Sequence, residues 1–375
     1  MGRVFIFSFL ILVLSVCSSY KEDELVVFDT EASYPEREIL LSEVCDVTYV
    51  PLDNVEVVGG RPRLVTDQFI IYSNRESDLL FFDRQGHFVR KFNHRGSGPG
   101  EYAYIGKVIY DAASDCLVVA YNNKILYYTM SGEFLREQTL DSFVFVSDVK
   151  DYSSDRLLIN NLHSLTSAYL MIDKASGKVV DSNGVVSEQA ISPYVQVDLR
   201  NNMRYVYMPS YYNMVRSHDG LLINNISADT FYLLSDEKVL RPYLVRRPSV
   251  QDQTYPHFVN AWVETSSGYF LSTVERKFDA ESQEGFEQAY YMIEKESLRI
   301  CRVHLVNEEI EDYEIHLDPE VIDRSVNASW GFLSLSAEEL VAVRDEGRIQ
   351  SPELTEIVRG MDEEDNPVLM FMRFK

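Results

Sequence analysis

A strand-turn-strand unit repeats within this chain. Residues 77–92 read SDLLFFDRQGHFVRKF, and residues 123–138, starting 46 positions further on, read NKILYYTMSGEFLREQ. The two copies match at four pairs of positions: Leu80 and Leu126, Gly86 and Gly132, Phe88 and Phe134, and Arg90 and Arg136. A repeat of this length built from hairpins predicts a radial array of β-sheets rather than a single sandwich.

The pattern extends to six units along the chain. In each unit a short polar turn precedes a second strand that is rich in aliphatic and aromatic residues. These second strands are QFIIYSN from residue 68, CLVVAYN from 116, RLLINNL from 156, LLINNIS from 221, YFLSTVE from 269 and ELVAVRD from 339. The sequence therefore predicts an all-β fold, a six-bladed β-propeller of four-stranded antiparallel blades.

Each end of the chain holds a strand without a hairpin partner. The first is EILLSEVCDVTYVPL at 38–52, and the second is NPVLMFMRFK at 366–375, which ends the chain one strand short of a complete sixth blade. A closed ring has no exposed sheet edge, and closing it requires a strand from one terminus to complete the blade at the other. We expect the N-terminal strand to pair with the C-terminal one, within a propeller domain at 37–375.

The N-terminus predicts export. Arg3 precedes an apolar run of 13 residues, 4–16, which is too short to span a membrane and is typical of a signal peptide at 1–16. The run ends in Leu14-Ser15-Val16-Cys17, which resembles a lipobox except that Val16 stands where a small residue is usual. We expect lipidation of Cys17 and a lipid-anchored tether at 17–36, with simple secretion or an uncleaved anchor as the alternatives.

The acidic triplet Glu22-Asp23-Glu24 follows the expected lipidation site. It resembles the export signal of some Gram-negative lipoproteins that are sent to the outer leaflet of the outer membrane, and a solvated tether is the other interpretation. We predict an exported lipoprotein of the outer membrane, facing either the periplasm or the cell surface.

Composition narrows the class of partner. The 375 residues carry a formal net charge of −24 and a pI near 4.7. Nucleic-acid affinity depends on Lys and Arg that neutralise phosphates, so this charge argues against a nucleic-acid partner, and the same sign disfavours anionic lipid surfaces. We expect contact with the membrane through the lipid anchor alone, and a monomer. Cys45, Cys116 and Cys301 lie in strand-like runs and are predicted to be buried thiols.

Three segments resemble a known family. They are the loop Gly96-Ser97-Gly98-Pro99-Gly100-Glu101-Tyr102, the entry Tyr49-Val50-Pro51-Leu52 and the exit Asn366-Pro367-Val368-Leu369. On these motifs the mature chain resembles the six-bladed β-propeller lipoproteins of Gram-negative surface and nutrient-uptake systems, which are related in shape to NHL-type propellers. The resemblance implies the fold and a surface location. It implies little about activity, because most members have none assigned.

The Gly-rich loop at 96–102 has two interpretations. A phosphate-binding loop would need a following Lys-Ser or Lys-Thr and a helix, and neither is present in the sequence. Close packing between blades is favoured, because glycine allows a positive φ and a tight approach of neighbouring chains. The seven histidines show no metal-ligand spacing, and no nucleophile elbow is present.

The two faces of the predicted disc differ in their connections. In an antiparallel blade the first-to-second and third-to-fourth turns lie on one side, which we call the turn face, and the second-to-third loops and inter-blade links lie on the other, the loop face. Every long insertion falls on the loop face: 93–104, 183–212, 246–258, 276–288, 317–328 and 346–365. Binding residues tend to lie on loops held by a rigid scaffold, so the loop face is the candidate binding surface. Within the last insertion, 351–360 is predicted to be a short helix capped by Ser351.

Aromatic and arginine residues are concentrated in these insertions. Such residues dominate binding hot spots, and flat rings also stack on sugars. The candidate ligand-binding residues are Arg200, Arg204, Tyr205, Tyr207, Tyr211, Tyr212, Arg246, Arg247, Tyr255, His257, Trp262 and Trp330. The alternative for each tyrosine is that it packs its loop onto a blade.

Two functional hypotheses follow. The first is a non-enzymatic binding or scaffold propeller, without a cofactor, for a glycan, a peptide or an envelope protein. The second is a propeller hydrolase or lyase with a divalent cation in the central channel. Candidate ligands for that cation on the first strands are Asp148, Asn213, Asn260 and Glu264.

Overall fold

The computed structural model describes residues 25–142, 144–161, 169–183, 189, 191–198, 204–209, 211–279, 285–317 and 324–375. Cys17 and Arg200 lie outside these residues. The described chain forms an all-β propeller with short helices. None of the helices in these ranges is long and apolar enough to cross a membrane.

Four secondary-structure elements precede the first blade. They are strands β1 (Val26–Asp29) and β2 (Glu36–Leu40), helix α1 (Leu41–Val44) and strand β3 (Cys45–Pro51). The sequence 38–52, which we expected to be one strand, is therefore divided by a helical turn between β2 and β3. Both β1 and β2 pair with blades, so much of the expected tether at 17–36 belongs to the folded domain.

Blades 1 to 3 are four-stranded antiparallel sheets in simple meander order. Their strands are β4 (Leu64–Val65), β5 (Phe69–Ser73), β6 (Leu79–Asp83) and β7 (Phe88–Phe92); β8 (Lys107–Asp111), β9 (Cys116–Tyr121), β10 (Lys124–Thr129) and β11 (Phe134–Thr139); and β12 (Val146–Ser153), β13 (Arg156–Asn161), β14 (Tyr169–Asp173) and β15 (Val179–Asn183). Central strands such as β9 are buried along their whole length, because adjacent blades cover both faces of the sheet. The repeat at 77–92 and 123–138 corresponds to the strand pairs β6–β7 and β10–β11.

Blades 4 and 5 are wider because segments from the N-terminus add to their outer edges. A hairpin of β16 (Val195–Asp198) and β17 (Arg204–Tyr207) precedes them. The blades comprise β18 (Met214–Ser217), β19 (Gly220–Ile223), β20 (Thr230–Leu234) and β21 (Leu240–Arg247), and β22 (His257–Glu264), β23 (Gly268–Asp279), β24 (Gly285–Glu294) and β25 (Ile300–Val306), with β26 (Glu314–Ile315) beside β25. Strand β1 pairs in parallel with β21, and β2 pairs in parallel with β25.

The last sheet has three strands in the described chain. It is built from β27 (Trp330–Leu335), β28 (Val368–Phe374) and β3, in the order β27-β28-β3, and helices α2 (Ala337–Asp345) and α3 (Pro352–Val358) connect β27 to β28. The predicted pairing of the two chain ends is confirmed: β3 and β28 are antiparallel, with Val368 opposite Pro51 and Phe374 opposite Cys45.

The expected number of four-stranded blades is corrected. Five sheets have at least four strands, and the sheet expected to be the sixth such blade has three in the described part of the chain. The segment ELVAVRD at 339–345, predicted to be a strand, lies in helix α2. The Ser336 side chain caps this helix by accepting a hydrogen bond from the backbone N–H of Glu339, and Glu338 and Glu339 occupy its first turn. Helix α3, by contrast, begins after Ser351 as predicted.

Neighbouring sheets are joined by hydrophobic clusters. Buried side chains are shared by blades 1 and 2, 2 and 3, 3 and 4, and 4 and 5. Blade 5 shares a cluster with the three-stranded sheet and with α2 and α3. A further cluster joins the three-stranded sheet to blade 1, through residues such as Phe332, Leu369 and Tyr72.

Successive sheets also meet at a repeated contact, in which the outer strand of one sheet reaches the third-to-fourth turn of the next. The Arg90 guanidinium of β7 donates two hydrogen bonds, at 2.6 and 3.1 Å, to the Met130 carbonyl oxygen in the turn of blade 2. Gln138 of β11 donates to the Lys174 carbonyl oxygen in the turn of blade 3 at 2.6 Å. After β3, the Asp53 backbone N–H donates to the Gly86 carbonyl oxygen in the turn of blade 1 at 2.9 Å.

Candidate functional site

A cavity of about 400 Å³ opens on the loop face, where the first strands of blades 2 and 3 begin. Its wall combines strand residues with residues of the inter-blade links. The main side chains are Arg63, Tyr104, Lys107, Ile109, Tyr121, Phe145, Asp148, Lys150, Tyr194, Met208, Tyr211, Asn213 and Arg324. The volume is within the range of about 300–1,000 Å³ that is usual for small-molecule sites.

An acidic side chain lies between two lysines in this wall. Asp148 and Lys150 are two positions apart on β12, so their side chains point to the same side of the strand. Oδ2 of Asp148 lies 3.4 Å from Nζ of Lys150, and Oδ1 lies 3.5 Å from Nζ of Lys107 on the adjacent strand β8. Oδ1 also accepts the Val149 backbone N–H at 2.8 Å, which fixes the carboxylate in this position.

Lys150 is the most buried of the cavity's cations, with 5% of its surface exposed. The pKa of its ammonium group is lowered to about 8, mainly by burial and in smaller part by the nearby charges of Lys107 and Arg216, while Asp148 opposes the change. Lys150 therefore loses its proton closer to neutral pH than an exposed lysine does.

Aromatic side chains form the rim of the cavity. Tyr104 and Tyr194 are 45% and 43% exposed, and Met208 is 55% exposed. Tyr104 meets Tyr121 edge to face, with ring centroids 5.5 Å apart, and its hydroxyl donates to the Asn122 side chain at 2.8 Å. These contacts hold the Tyr104 ring while leaving one side open to the cavity mouth.

Tyr211 lies deeper in the same cavity. Its ring packs edge to face on Phe258 at 5.8 Å, and burial raises the pKa of its hydroxyl. The hydroxyl lies near Asn224 but makes no hydrogen bond of ordinary geometry with any described residue. A buried hydroxyl in this state is a site where a ligand or a water molecule gains a partner.

A second cavity of about 700 Å³ lies on the turn-face side of the same inner strands, and Val108, Ile109 and Lys150 border both cavities. Its charged lining residues are Lys150, Asp151, Arg216 and Asp236. Lys150 therefore lies between the two cavities.

Arg246, a predicted ligand-binding residue, has internal contacts. It is 2% exposed and donates hydrogen bonds to the backbone carbonyl oxygens of His257, Ile226 and Ala228, and to the Asp229 carboxylate. Burial lowers the pKa of its guanidinium group. The described geometry assigns Arg246 to fixing the second-to-third loop of blade 4 against blade 5.

The 183–212 insertion is divided between the cavity and a separate hairpin. Arg204, Tyr205 and Tyr207 lie on β17, where Tyr207 stacks on Phe278 of blade 5 at 3.8 Å and Tyr205 stacks on Tyr207 at 6.3 Å. This ladder of rings packs the hairpin onto the long strand β23.

The remaining candidates are dispersed. Tyr212 joins the cluster between blades 4 and 5, Arg247 lies at the exposed end of β21, and Tyr255 lies beside Lys277 at 5.7 Å. His257 begins β22, and its backbone carbonyl binds Arg246. Trp262 is a residue of β22 whose side chain is outside the described part.

Trp330 was expected among the loop-face residues, but it lies on the turn-face side. Arg84, in the third-to-fourth turn of blade 1, stacks over the Trp330 ring at 5.0 Å and over Phe371 at 4.1 Å. Of the twelve candidates, Tyr211 is the one that borders the cavity in the described structure.

The Gly-rich loop packs between blades 1 and 2. The Gly98 backbone N–H donates to the Glu101 carboxylate at 2.7 Å, and the carbonyl oxygen of Gly100 accepts the hydroxyl of Tyr128 in blade 2 at 3.0 Å. Tyr102 is fully buried, and its hydroxyl donates to the Ser77 carbonyl oxygen of blade 1 at 3.0 Å. Through these contacts the loop that contains Gly96, Gly98, Pro99 and Gly100 packs blade 1 against blade 2.

Two of the residues considered as cation ligands, Asp148 and Glu264, have other partners. Glu264 accepts hydrogen bonds from Lys295 at 2.8 Å and from Ser217 at 2.9 Å, and Asp148 is engaged as described above. No group of three or more His, Cys, Asp or Glu within the described ranges is placed to hold a metal ion. Cys45, Cys116 and Cys301 are buried free thiols, and burial raises the pKa of all three.

Sequence reasoning missed the charged lining of the cavity. Asp148 was considered as a first-strand residue, but Arg63, Lys107, Lys150 and Arg324 were not. The available signal was position: Lys107 begins a first strand, and Asp148 and Lys150 lie at alternate positions of another. The prediction selected aromatic and arginine residues of the long insertions and did not consider the residues at which the first strands begin.

The chain is similar to proteins of solved structure, and the first of the two described here supports the fold. The "Putative exported protein" BF0058 of Bacteroides fragilis is 15% identical, with a TM-score of 0.65 over 94% of this chain and all of the other. A member of the DUF4221 family from Bacteroides vulgatus is 13% identical, with a TM-score of 0.46 over 88% of this chain and 96% of the other. A search of curated proteins found no match.

The sequence from residue 25 to residue 373 matches a single protein family. This range begins at the first described residue and includes all of the described strands except Phe374, the last residue of β28. The chain therefore belongs to DUF4934, a family defined by a domain of unknown function.

Proposed function

We propose that the chain is a non-enzymatic, exported propeller that binds a small glycan in its loop-face cavity. The observation that carries this proposal is the cavity of about 400 Å³ bordered by the exposed rings of Tyr104 and Tyr194. A tyrosine ring presents a flat apolar face with a polar tip, which suits the face of a sugar. The cavity admits the end of a glycan or a peptide but is too small for a folded protein.

The proposal includes a closed, six-bladed ring as the scaffold. The parallel contact of Val65 with Ser325 adds 324–326 beside the first strand of blade 1. Strand β3 makes the same type of contact with the turn of blade 1 that β7 makes with the turn of blade 2. Under this proposal, β3 is the outermost strand of the sixth blade, and the rigid ring holds the cavity wall in place.

We further propose that Cys17 carries a lipid that anchors the protein to the outer membrane. One support is the signal-like segment 1–16, whose last three residues form a lipobox-like sequence with Cys17. The other is the similar fold of a protein whose name describes it as exported. Replacing Cys17 by alanine should abolish metabolic labelling with a clickable fatty acid and release the protein from membranes. Unchanged labelling would contradict the anchor and leave the binding site unaffected.

Binding is tested by screening the soluble domain on a glycan array and measuring the affinity of the best ligand in solution. Tyr104→Ala should weaken binding about thirtyfold, because losing an aromatic anchor typically costs about 2 kcal/mol. Tyr255→Ala is the matched control, since Tyr255 is a similarly exposed tyrosine at 50% but does not border the cavity. The proposal fails if Tyr255→Ala weakens binding and Tyr104→Ala does not, or if no glycan on the array binds.

A further inference from the structure

The cavity on the turn-face side is built from the first strands of several blades. Its volume is about 700 Å³, and its wall includes Leu64 of β4, Ile109 of β8, Asp151 of β12 and Arg216 of β18. These strands belong to blades 1, 2, 3 and 4. The cavity therefore lies where the first strands of four successive blades converge.

Arg216 is a partly buried side chain of this wall whose guanidinium group has hydrogen-bond donors to spare. Within the described residues it makes one hydrogen bond, from Nη2 to the Asp151 backbone carbonyl oxygen at 3.3 Å, and this acceptor is neutral. Burial lowers the pKa of the guanidinium group, and the carboxylates of Asp151 and Asp236 oppose that change. A guanidinium group has several N–H donors, so an acceptor that enters the cavity can gain hydrogen bonds from it.

The two nearby carboxylates leave the guanidinium group open to a ligand. Oδ1 of Asp151 lies 2.6 Å from Nζ of Lys174, which ties this carboxylate into the contact between blades 2 and 3. Asp236 is exposed in the third-to-fourth turn of blade 4, and the described structure shows no ion pair between it and Arg216. An anion can therefore reach Arg216 without displacing a bound carboxylate.

The rest of the wall suits the apolar part of an organic ligand. Its apolar and aromatic side chains are Leu64, Val108, Ile109, Tyr110, Tyr152 and Val326. The Tyr110 hydroxyl donates to the Asp115 carboxylate at 2.8 Å, and the Tyr152 hydroxyl donates to the Ser235 carbonyl oxygen at 2.5 Å. Both rings are thus held in place before a ligand binds. A small inorganic anion would leave this apolar surface uncovered, so the wall favours an organic ligand.

We propose that this cavity binds a small organic carboxylate, whose two oxygens accept hydrogen bonds from the Arg216 guanidinium group while its apolar part lies against Tyr110 and Tyr152. The planar guanidinium fork matches the two oxygens of a carboxylate. A carboxylate carries less negative charge than a phosphate, so Asp236 repels it less. The site is separate from the proposed glycan site, because Tyr104 and Tyr194 do not border this cavity.

The test measures the affinity of the intact protein for three probes by ligand-observed NMR: phenylacetate, phenylethanol and inorganic phosphate. Phenylethanol has the same ring and carbon chain without the charge, and phosphate has the charge without the ring. We expect phenylacetate to bind about tenfold or more tightly than either, because it alone combines the charged hydrogen bonds with the apolar contact.

Substitutions test the role of Arg216. Arg216→Met should weaken phenylacetate binding about tenfold and leave phenylethanol binding unchanged. Arg216→Lys should recover only part of this loss, since an ammonium group cannot match both carboxylate oxygens in one plane. Asp236→Asn should strengthen phenylacetate binding, because it removes a nearby negative charge. Arg241→Met is the control: Arg241 is exposed on β21 of the same blade and does not border the cavity.

Denaturant unfolding checks that each variant folds, and Arg216→Lys carries the test if Arg216→Met does not. The inference is overturned if phenylacetate does not bind, if phenylethanol binds equally well, or if phosphate binds more tightly. It is also overturned if Arg241→Met weakens phenylacetate binding as much as the Arg216 variants do. Tyr104→Ala should leave phenylacetate binding unchanged, so the result for this site is independent of the result for the glycan site.

Discussion

Two lysines are buried in blade 3, and their surroundings give them different roles. Lys174 is 4% exposed, and its Nζ lies 2.6 Å from Oδ1 of Asp111 and 2.6 Å from Oδ1 of Asp151, so it joins blade 2 to blade 3. Lys150 borders both cavities and pairs with Asp148, and the nearby cations Lys107 and Arg216 disfavour its charged form. Lys174 is therefore held between two carboxylates of different blades, whereas Lys150 lies beside one carboxylate and two cations.

Replacing Lys174 by methionine should destabilise the fold by about 3–5 kcal/mol, because two carboxylates are then left buried without a cation. The measurement is denaturant unfolding at neutral pH. Lys178→Met is the control, since Lys178 is exposed in the same turn, and it should change stability by less than about 0.5 kcal/mol. Burial already raises the pKa of Asp151, so the deficit of the Lys174 variant should shrink as the pH is lowered. A deficit equal to that of the control would contradict this role.

Lys150 should make the stability of the fold depend on pH. The charged groups that influence it are Asp148 on its own strand, Lys107 on β8 and Arg216 on β18. Since its pKa is about 8, the ammonium loses its charge in the folded protein as the pH rises through that value, whereas in the unfolded chain it stays charged up to about pH 10. The folded state therefore becomes more stable relative to the unfolded chain between these two pH values, because a buried charge is relieved in the folded state alone. Denaturant unfolding of wild type and Lys150→Met over this pH range checks this, and a rise in stability that persists in Lys150→Met would exclude Lys150 as its cause.

Part of the site could be predicted from the sequence, and part could not. The loop face was identified from the positions of the insertions, and the cavity opens on that face. Arg246 was predicted to bind ligand, and the carbonyl oxygens that accept its hydrogen bonds could not be identified from the sequence. Lys107 and Lys150 were missed because they belong to different blades. Whether their side chains border one cavity depends on the relative orientation of blades 2 and 3, which the sequence does not give.

The blades are joined by turns that require glycine. Gly86 and Gly132 have φ values of +89° and +95°, in the region that favours glycine. A Cβ on Gly132 would lie 2.6 Å from the Phe92 ring of blade 1, and a Cβ on Gly86 would overlap the Pro51 carbonyl oxygen at the end of β3. Because the same turn meets the preceding sheet in both places, the repeat in the sequence reflects a repeat in packing.

Alanine substitutions should separate backbone strain from this packing. Gly347→Ala introduces an alanine at φ +72° with no atom within 4 Å of the new Cβ, so it should cost about 1 kcal/mol. Gly132→Ala should cost more, because the Phe92 ring must move, and Gly86→Ala should cost most, because the obstacle is backbone. The free energies of unfolding give the order. Equal effects at all three positions would show that the contacts between sheets contribute little.

Secondary structure was predicted well where local pattern and packing agree. Five of the six predicted second strands lie on strands in the structure, and the exception, 339–345, is helix α2. The residues of this segment are apolar enough for a strand or a helix. The Ser336 cap and the acidic residues of the first turn favour the helix. Strand β1 was not predicted, and β2 was predicted only in part, as the start of a longer strand at 38–52, because the short parallel pairings that stabilise both join segments more than 200 positions apart.

The molecule as a whole depends on how its two ends meet. Among the described N-terminal elements, strand β3 enters the three-stranded sheet, and its seven residues pair with the seven of β28. The last residues also contact blade 5, where the Ser266 backbone N–H donates to the Lys375 carbonyl oxygen. If the ring is closed by β3, separating the chain ends requires opening the whole propeller, and a covalent link between them should therefore stabilise it.

A disulfide between β3 and β28 tests this closure. Asp46 and Arg373 are exposed partners in the register, so cysteines at both positions fit the spacing of a disulfide. The link encloses nearly the whole domain and should stabilise it by about 2–4 kcal/mol, since it restricts the unfolded chain. Cys45 next to the link should not compete, because burial raises the pKa of its thiol to about 12. The reduced form of the same variant is the control. If the oxidised form unfolds at the same denaturant concentration as the reduced form, or the link does not form, β3 does not hold the ring closed.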